Sequence, residues 1–438
     1  MLVTEPLRNL AKHYSSDLPN AVSVGAKGAG KTFTYLQICR TKNWAEFLKK
    51  LGSGTPTIQG GDIYPLLHSA NLDGDSLAVV QGARSASAKN LSLADVPKAR
   101  EVLSIASALR NPATDWDAFW EGMLINEFPV GATTLADFNS WLINNNKSVV
   151  LVVDGLEDHF EEPEDENQKR AIKALLQLPN RLNELQQRRI GLVCFVRADY
   201  VQSAIRQNVA QYLSRFQPFR LEWTAETFLR LAYWICGKAN VINADPEKAA
   251  QLGMLELLKE LERLWGKKMG RDDSKEAMSA RWVFAALCDL NGRLQARDLV
   301  RFLKFAAKRM DGAKTDAWQD RLLLPEVIRK SLPDCSDEKV TEAITEIGAL
   351  RKWVEKLDSL PPEARRIPFG ADALQLSSEL LGSLRELGVV YEDTDQLGEV
   401  ERFYLPEIYR SGLKFRSGLS GRPRVQALLK RNLGGMPF

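Results

Sequence analysis

Gly25-Ala26-Lys27-Gly28-Ala29-Gly30-Lys31-Thr32 is the stretch of this chain whose residue types and spacing most directly specify chemistry. It fits the pattern G-x-x-x-x-G-K-[ST] at every fixed position. Glycines let successive backbone N–H groups turn inward around phosphate oxygens with no Cβ in the way. A helix beginning at the end of such a loop adds its positive N-terminal end. Lys31 can reach the outer phosphates, and the Thr32 hydroxyl can ligate Mg²⁺. Phe33, the first residue beyond, opens the helix that leaves the loop. By residue usage alone, a chain of this length would match about one or two times in a hundred.

Further along, Ser148-Val-Val-Leu-Val-Val-Asp154-Gly-Leu-Glu157-Asp158 is a β-branched run ending in acids. Such a run suits a parallel strand buried on both faces. An Asp at its carboxyl end is placed to hold Mg²⁺ through water, unless it only caps the following turn. Glu157 and Asp158 lie one turn on, and either can polarise an attacking water, Glu157 being preferred. A second apolar run, Ile190 to Val196, leads at once into Arg197-Ala-Asp199-Tyr200. An arginine at that strand end can report a terminal phosphate and stabilise charge developing there, or it pairs with Asp199 or the acidic loop. Arg215, in Ser214-Arg215-Phe216, lies at a helix-to-strand junction. It is either a surface residue or a cation that reaches a neighbouring subunit's nucleotide. Together these residues read as an ATP·Mg²⁺ site with Gly25 to Phe33 as the nucleotide loop, Thr32 and Asp154 as metal-binding residues, and Glu157, Asp158, Arg197 and Arg215 as candidate catalytic residues.

The elements that must position them follow from hydrophobic periodicity. Ala21 to Val24 reads as the strand entering the loop, and Phe33 to Cys39 as the helix leaving it. A short amphipathic piece around Leu7, Leu10 and Ala11 precedes them. Asp62 to His68 reads as a second strand. Residues 69–100, rich in Gly, Ser, Ala and Asp, read as an irregular excursion or a mobile loop. The tryptophan-bearing stretches Trp116 to Leu124 and Leu135 to Leu142 have helical spacing and supply core. Glu161 to Glu166 is an acidic, solvated loop, and Ala171 to Arg189 an amphipathic helix. Gln202 to Leu213 reads as a helix and Pro218 to Glu222 as a fifth strand. From Thr224 the pattern is helical, with Arg281, Arg293 and Arg297 as candidates for a further phosphate sensor. From about 320 to 415, helices precede Leu380 to Leu387, Gly388 to Tyr391, a polar turn and Val400 to Leu405. A helix followed by a two-stranded ribbon is the pattern of a winged helix. Beyond Glu407 the charged residues are all basic: Arg410, Lys414, Arg416, Arg422, Arg424, Lys430 and Arg431. Residues 410–431 therefore offer a surface for nucleic-acid phosphates, or simply a solvated or subunit-facing one.

Bulk composition bounds the rest. With 438 residues, two or three domains are expected. A net charge of +3 gives no global nucleic-acid or membrane signal. Five scattered cysteines without a C-x-x-C pair or histidine cluster argue against zinc and for reduced thiols in a cytoplasmic protein. No apolar run approaches membrane-spanning length, so no membrane partner is expected. About twenty residues precede the first strand, which leaves open whether an effector is absent or the chain is a fragment.

The order of loop, Asp154-Gly-Leu-Glu157-Asp158, Arg197, the Arg215 junction, helical region and winged-helix pattern resembles the AAA+ ATPases of the ASCE division, and especially their STAND branch. The resemblance spans roughly residues 20–410. It implies an α/β fold: a P-loop NTPase parallel sheet of about five strands flanked by helices, followed by an α-helical lid and a C-terminal winged helix. The corresponding boundaries are 1–223, 224–315 and 316–438. In that class the strand 190–196 lies between the loop strand and the acid strand, so its end points Arg197 at the γ-phosphate. The resemblance further implies ATP hydrolysis, slow or partner-stimulated. It also implies a homo-oligomeric switch acting with a separate effector or sensor protein and, by association, a place in bacterial antiviral defence. Gly155 stands where the usual AAA+ pair has Glu, which favours the switch over rapid turnover. The alternative is a DNA-binding AAA+ ATPase that loads or remodels a nucleic-acid complex through its winged helix.

Overall fold

Val149 to Val153 are all completely buried, and they form the central strand that the β-branched run requires. The computed structural model describes residues 2–52, 60–93, 101–160, 165–313, 318–392 and 402–417. The chain divides into one unit over 3–221 and a second from Glu222 onward.

In the first unit the strands are β1 (Asn20–Gly25), β2 (Asp62–Leu67), β3 (Val149–Val153) and β4 (Ile190–Arg197). They form a parallel sheet in the order β1-β4-β3-β2. Strand β4 therefore lies between the loop strand and the acid strand. The register sets Gly25 beside Arg197, and Val153 beside both Cys194 and Leu67. That register brings the exits of all four strands to one edge, where open α/β sheets bind ligands. Helices cover both faces, and side chains such as Trp44, Trp120, Phe138 and Phe160 fill one continuous core. The N-terminal helix Glu5–His13 buries Leu7, Leu10 and Ala11 in it.

Three expectations need correction. The sheet has four strands among the described residues, not about five. Pro218 lies in a 3₁₀ turn, Gln217–Phe219, and only Leu221 reaches the sheet, through one bridge to Gly25. Proline has no N–H to donate to a ladder, so the pairing cannot propagate. Residues 69–100 are not an irregular excursion as far as they are described, because Gly74–Asn90 is a 17-residue helix. Asp73 caps it by accepting from the Ser76 amide at 2.7 Å. Its buried face is Val80, Ala83, Arg84, Ser87 and Ala88, an i, i+3, i+4, i+7, i+8 stripe hidden by small and charged residues. The predicted helix over 202–213 is two helices, Ala198–Ala204 and Val209–Phe216, broken near Asn208 in the left-handed region.

The second unit begins with the helix Ala225–Lys238, whose Thr224 and Thr227 form a reciprocal cap. The helices Met254–Trp265, Ser279–Leu287, Ala296–Met310, Pro325–Glu346 and Gly348–Asp358 follow. A buried ion pair, Asp298 to Lys339 at 2.9 Å, ties two of them together. After the helix Ser378–Glu386, Tyr391–Glu392 pairs antiparallel with Phe403–Tyr404. Arg410 pairs with Glu407. The polar turn between the ribbon strands, Glu161 to Glu164, and the basic residues Arg422, Arg424, Lys430 and Arg431 lie outside the described residues. No described helix is long and apolar enough to cross a membrane.

Candidate active site

Strand β1 ends at Gly25, and the chain turns through Ala26 to Gly30 before the helix Lys31–Cys39 begins. Gly28 and Gly30 have φ of 75° and 92°, a region L-residues avoid. The first intrahelical bond runs from the Thr34 amide to the Gly30 carbonyl at 2.9 Å. The amides of Lys31 and Thr32 precede it and have no acceptor within the helix, which is the arrangement that receives anions. A Cβ on Gly25 would lie 3.0 Å from Cβ of Leu221, so the strand exit admits no larger residue without movement.

Lys31 is buried. Its Nζ donates to the Ala26 carbonyl at 3.2 Å and lies 3.6 Å from Oε1 of Glu157. Burial lowers its pKa, while Glu157 and Asp154 act in the opposite direction. Asp154 is 1 % exposed, and neither carboxylate oxygen has a hydrogen-bond partner. Burial first, and Glu157 second, push its pKa up to about 7, although Thr32 and Lys31 partly offset them. A buried carboxylate with two empty acceptors is costly unless something charged satisfies it. A divalent cation between Asp154 and Thr32 would do so with hard oxygen ligands, and the donor set fits Mg²⁺.

Glu157 and Asp158 occupy a single 3₁₀ turn but differ in what they touch. Glu157 faces Lys31, and its second oxygen, Oε2, is buried without a partner. Both oxygens of Asp158 are engaged: Oδ2 accepts from the Ala70 amide at 2.8 Å and Oδ1 from the Asn71 side chain at 3.0 Å. Asp158 thus holds the connection that follows β2.

Gly155, between the acids, has φ of 81°. A Cβ there would stand 2.4 Å from the Ser69 nitrogen and 2.6 Å from the His68 carbonyl carbon. Glycine is needed because the β2 exit crosses this point, which accounts for the missing second acid in adjacent position. Gly155→Ala is expected to destabilise the protein by about 2–4 kcal/mol through backbone strain and overpacking. A thermal melt within a degree of the parent would contradict this.

Arg197 is at the end of β4, but its guanidinium is paired with Asp199, Nε to Oδ1 at 3.0 Å and NH2 to Oδ2 at 2.6 Å, above the Tyr200 ring. Arg215 is engaged with other residues. It donates to Oδ1 of Asn180 at 2.5 Å and covers the Phe216 ring. Of the arginines considered in the second unit, Arg297 pairs with Glu342 and Arg293 donates to the Glu386 carbonyl at 3.3 Å.

One residue near the site carries no sequence signal. Arg84 is 5 % exposed and donates to the carbonyls of Pro65 and Leu66 on β2. It contributes to the field at Tyr35 and Cys39, which also feel Asp154.

No family model matches the chain, and no curated protein matches it in sequence. Among solved structures, it is similar to the Aeropyrum pernix ORC2 protein in its ADPNP–ADP complexes, at 13% identity over 98% of this chain and 94% of that one, with a TM-score of 0.32. The ADP form of the same protein gives 15% identity over 99% and 94%, with a TM-score of 0.30. Likeness at this level leaves function to be read from the site's own geometry.

Proposed function

We propose that this chain is an ATPase of the AAA+ type that works as a nucleotide-dependent switch. The observation that carries the reading is the buried, unpartnered carboxylate of Asp154 beside Thr32 and Lys31, at the mouth of a glycine loop that opens a helix. The loop amides and Lys31 would hold the β- and γ-phosphates. Mg²⁺ held between Thr32 and Asp154 would neutralise charge on those phosphates. Glu157, through its unpartnered Oε2, would take the proton of the attacking water, while Asp158 keeps the β2 exit in register. The Lys31–Glu157 contact is an idle pairing. Phosphates that draw Lys31 away release Glu157 for catalysis.

The STAND-like reading adds oligomerisation and a separate effector or sensor partner, with Arg197 re-aimed at the γ-phosphate and Arg215 acting across subunits. A second reading, a DNA-handling AAA+ ATPase, draws on the ribbon Tyr391–Glu392 with Phe403–Tyr404 behind the helix Ser378–Glu386. ATPase rates across a range of protein concentrations, with and without DNA, separate the two. Concentration-dependent turnover indifferent to DNA favours the switch, and salt-sensitive stimulation by DNA favours the second reading. Both require the loop. Lys31→Ala is expected to weaken ATP binding by about 10- to 100-fold, the value of a charge-assisted contact. Titration with a fluorescent ATP analogue measures it, and undiminished affinity would refute the phosphate-loop assignment.

A further inference from the structure

Away from the phosphate loop, the first unit carries a second concave site. The helix Glu166–Asn183 and the segment from Ser203 to Arg215 line an open groove of about 810 Å³. Among the described residues its charged lining is Lys169, Arg170, Lys173, Arg206 and Arg215, with the carboxylate of Glu166 against them. On the helix these residues fall at 166, 169, 170 and 173, a spacing that puts them on one face. Among the described residues Arg170 donates to the backbone carbonyls of Pro112 and Thr114, at 2.6 and 2.8 Å, which are neutral acceptors. Glu166 is the last residue of the acidic run. Its carboxylate lies on Arg206 at 2.5 Å and on Lys169 at 3.3 Å, so an anion already occupies part of the site.

We propose that this groove binds a chain of phosphate groups, with the Glu166 carboxylate as a resident competitor. Four cations in excess attract a polyanion. Arginine forks and the side-chain amides Gln177, Asn180 and Gln211 suit phosphate oxygens, which offer several acceptors per charge. An acidic peptide would need apolar anchors as well, and the lining supplies only Ala204, Ile205 and part of Tyr212. The absence of an open aromatic platform in this lining points to contact with the backbone and no base readout. The phosphate chain can come from a polynucleotide or from a free polyphosphate. Arg215 is shared with the switch reading, but the other lining cations are not, and the proposal does not depend on that reading.

The test uses the full chain carrying Lys31→Ala, so that capture of the probe by the loop is weakened. The probes are a labelled oligothymidylate and inorganic tripolyphosphate, with poly-glutamate as the contrast. The test variants are Lys173→Gln/Arg206→Gln, both exposed, and Glu166→Gln. The double variant is expected to weaken binding about tenfold near physiological salt and to flatten the log–log salt slope by about 1.4, the loss of two single-strand phosphate contacts. Glu166→Gln is expected to tighten binding. Weakening of the oligothymidylate identifies a polynucleotide, and weakening of tripolyphosphate alone identifies a free polyphosphate. Binding unchanged in the double variant, weakened in Glu166→Gln, or groove-dependent only for poly-glutamate would overturn the proposal. An unchanged thermal melt verifies folding, and ATP binding unchanged by the same substitutions in the parent chain shows the loop is untouched.

Discussion

Glu157→Gln should bind ATP within a few-fold of the parent yet hydrolyse it about 10²–10⁴ times more slowly, the usual contribution of a positioned base. Glutamine keeps the shape and can still lie near Lys31, but it cannot accept a proton at the buried Oε2. Asp158 provides the internal contrast. Asp158→Asn keeps one acceptor for the Ala70 amide and loses charge on a group already spent on two hydrogen bonds. It should change stability by about 1–2 kcal/mol and turnover far less than Glu157→Gln. Single-turnover hydrolysis measures the first effect, and urea unfolding the second. If Asp158→Asn silenced hydrolysis and Glu157→Gln did not, the roles assigned to the two acids would be reversed.

The second large effect falls on stability. Asp154 has a folded-state pKa of about 7 because it is buried beside Glu157, and an unfolded value of about 3.9. Between these values the folded form binds more protons than the unfolded form, so ligand-free protein loses stability as pH rises from about 4 to 7. The full penalty, roughly 4 kcal/mol, applies above pH ~7. Asp154→Asn should remove it. The ligand-free variant should be more stable than the parent near pH 8 and nearly equal to it near pH 4, while losing Mg²⁺-dependent hydrolysis. Urea unfolding at the two pH values measures this. If the variant retained the parent's pH dependence, Asp154 would not be its source. Adding Mg²⁺ and ATP should return stability to the parent alone.

The loop, β3 and β4 were legible in the sequence because they depend on local patterns: fixed glycines, and unbroken apolar runs that only a doubly covered strand tolerates. The long-range parts were not. Gly74–Asn90 was hidden because its core face is built from Ala, Ser and Arg, which carry little hydrophobic periodicity. The fifth strand failed because Pro218 removes a donor at the point where pairing would start. Gly155 looked like a clue to family, but its cause is a backbone crossing 86 residues upstream at Ser69, which no local spacing encodes. Between Glu157 and Asp158 the sequence preferred Glu157, but what each touches came only from the structure. Arg197 stood correctly at a strand end, and of its two readings the structure shows the pairing with Asp199, two residues on.

Proline 65 has a consequence beyond irregularity in β2. On the outward side of that strand, the Ile63 amide is taken by the Lys42 carbonyl, Pro65 has no hydrogen to offer, and Arg84 occupies the Pro65 carbonyl. At the opposite border, Leu221 takes the Val24 carbonyl next to a segment containing Pro218. The described sheet therefore presents few open backbone groups to another chain, and a foreign strand has no ladder to extend. Strand addition along these two borders, the route by which exposed sheet edges lead to amyloid-like stacking, is thereby disfavoured.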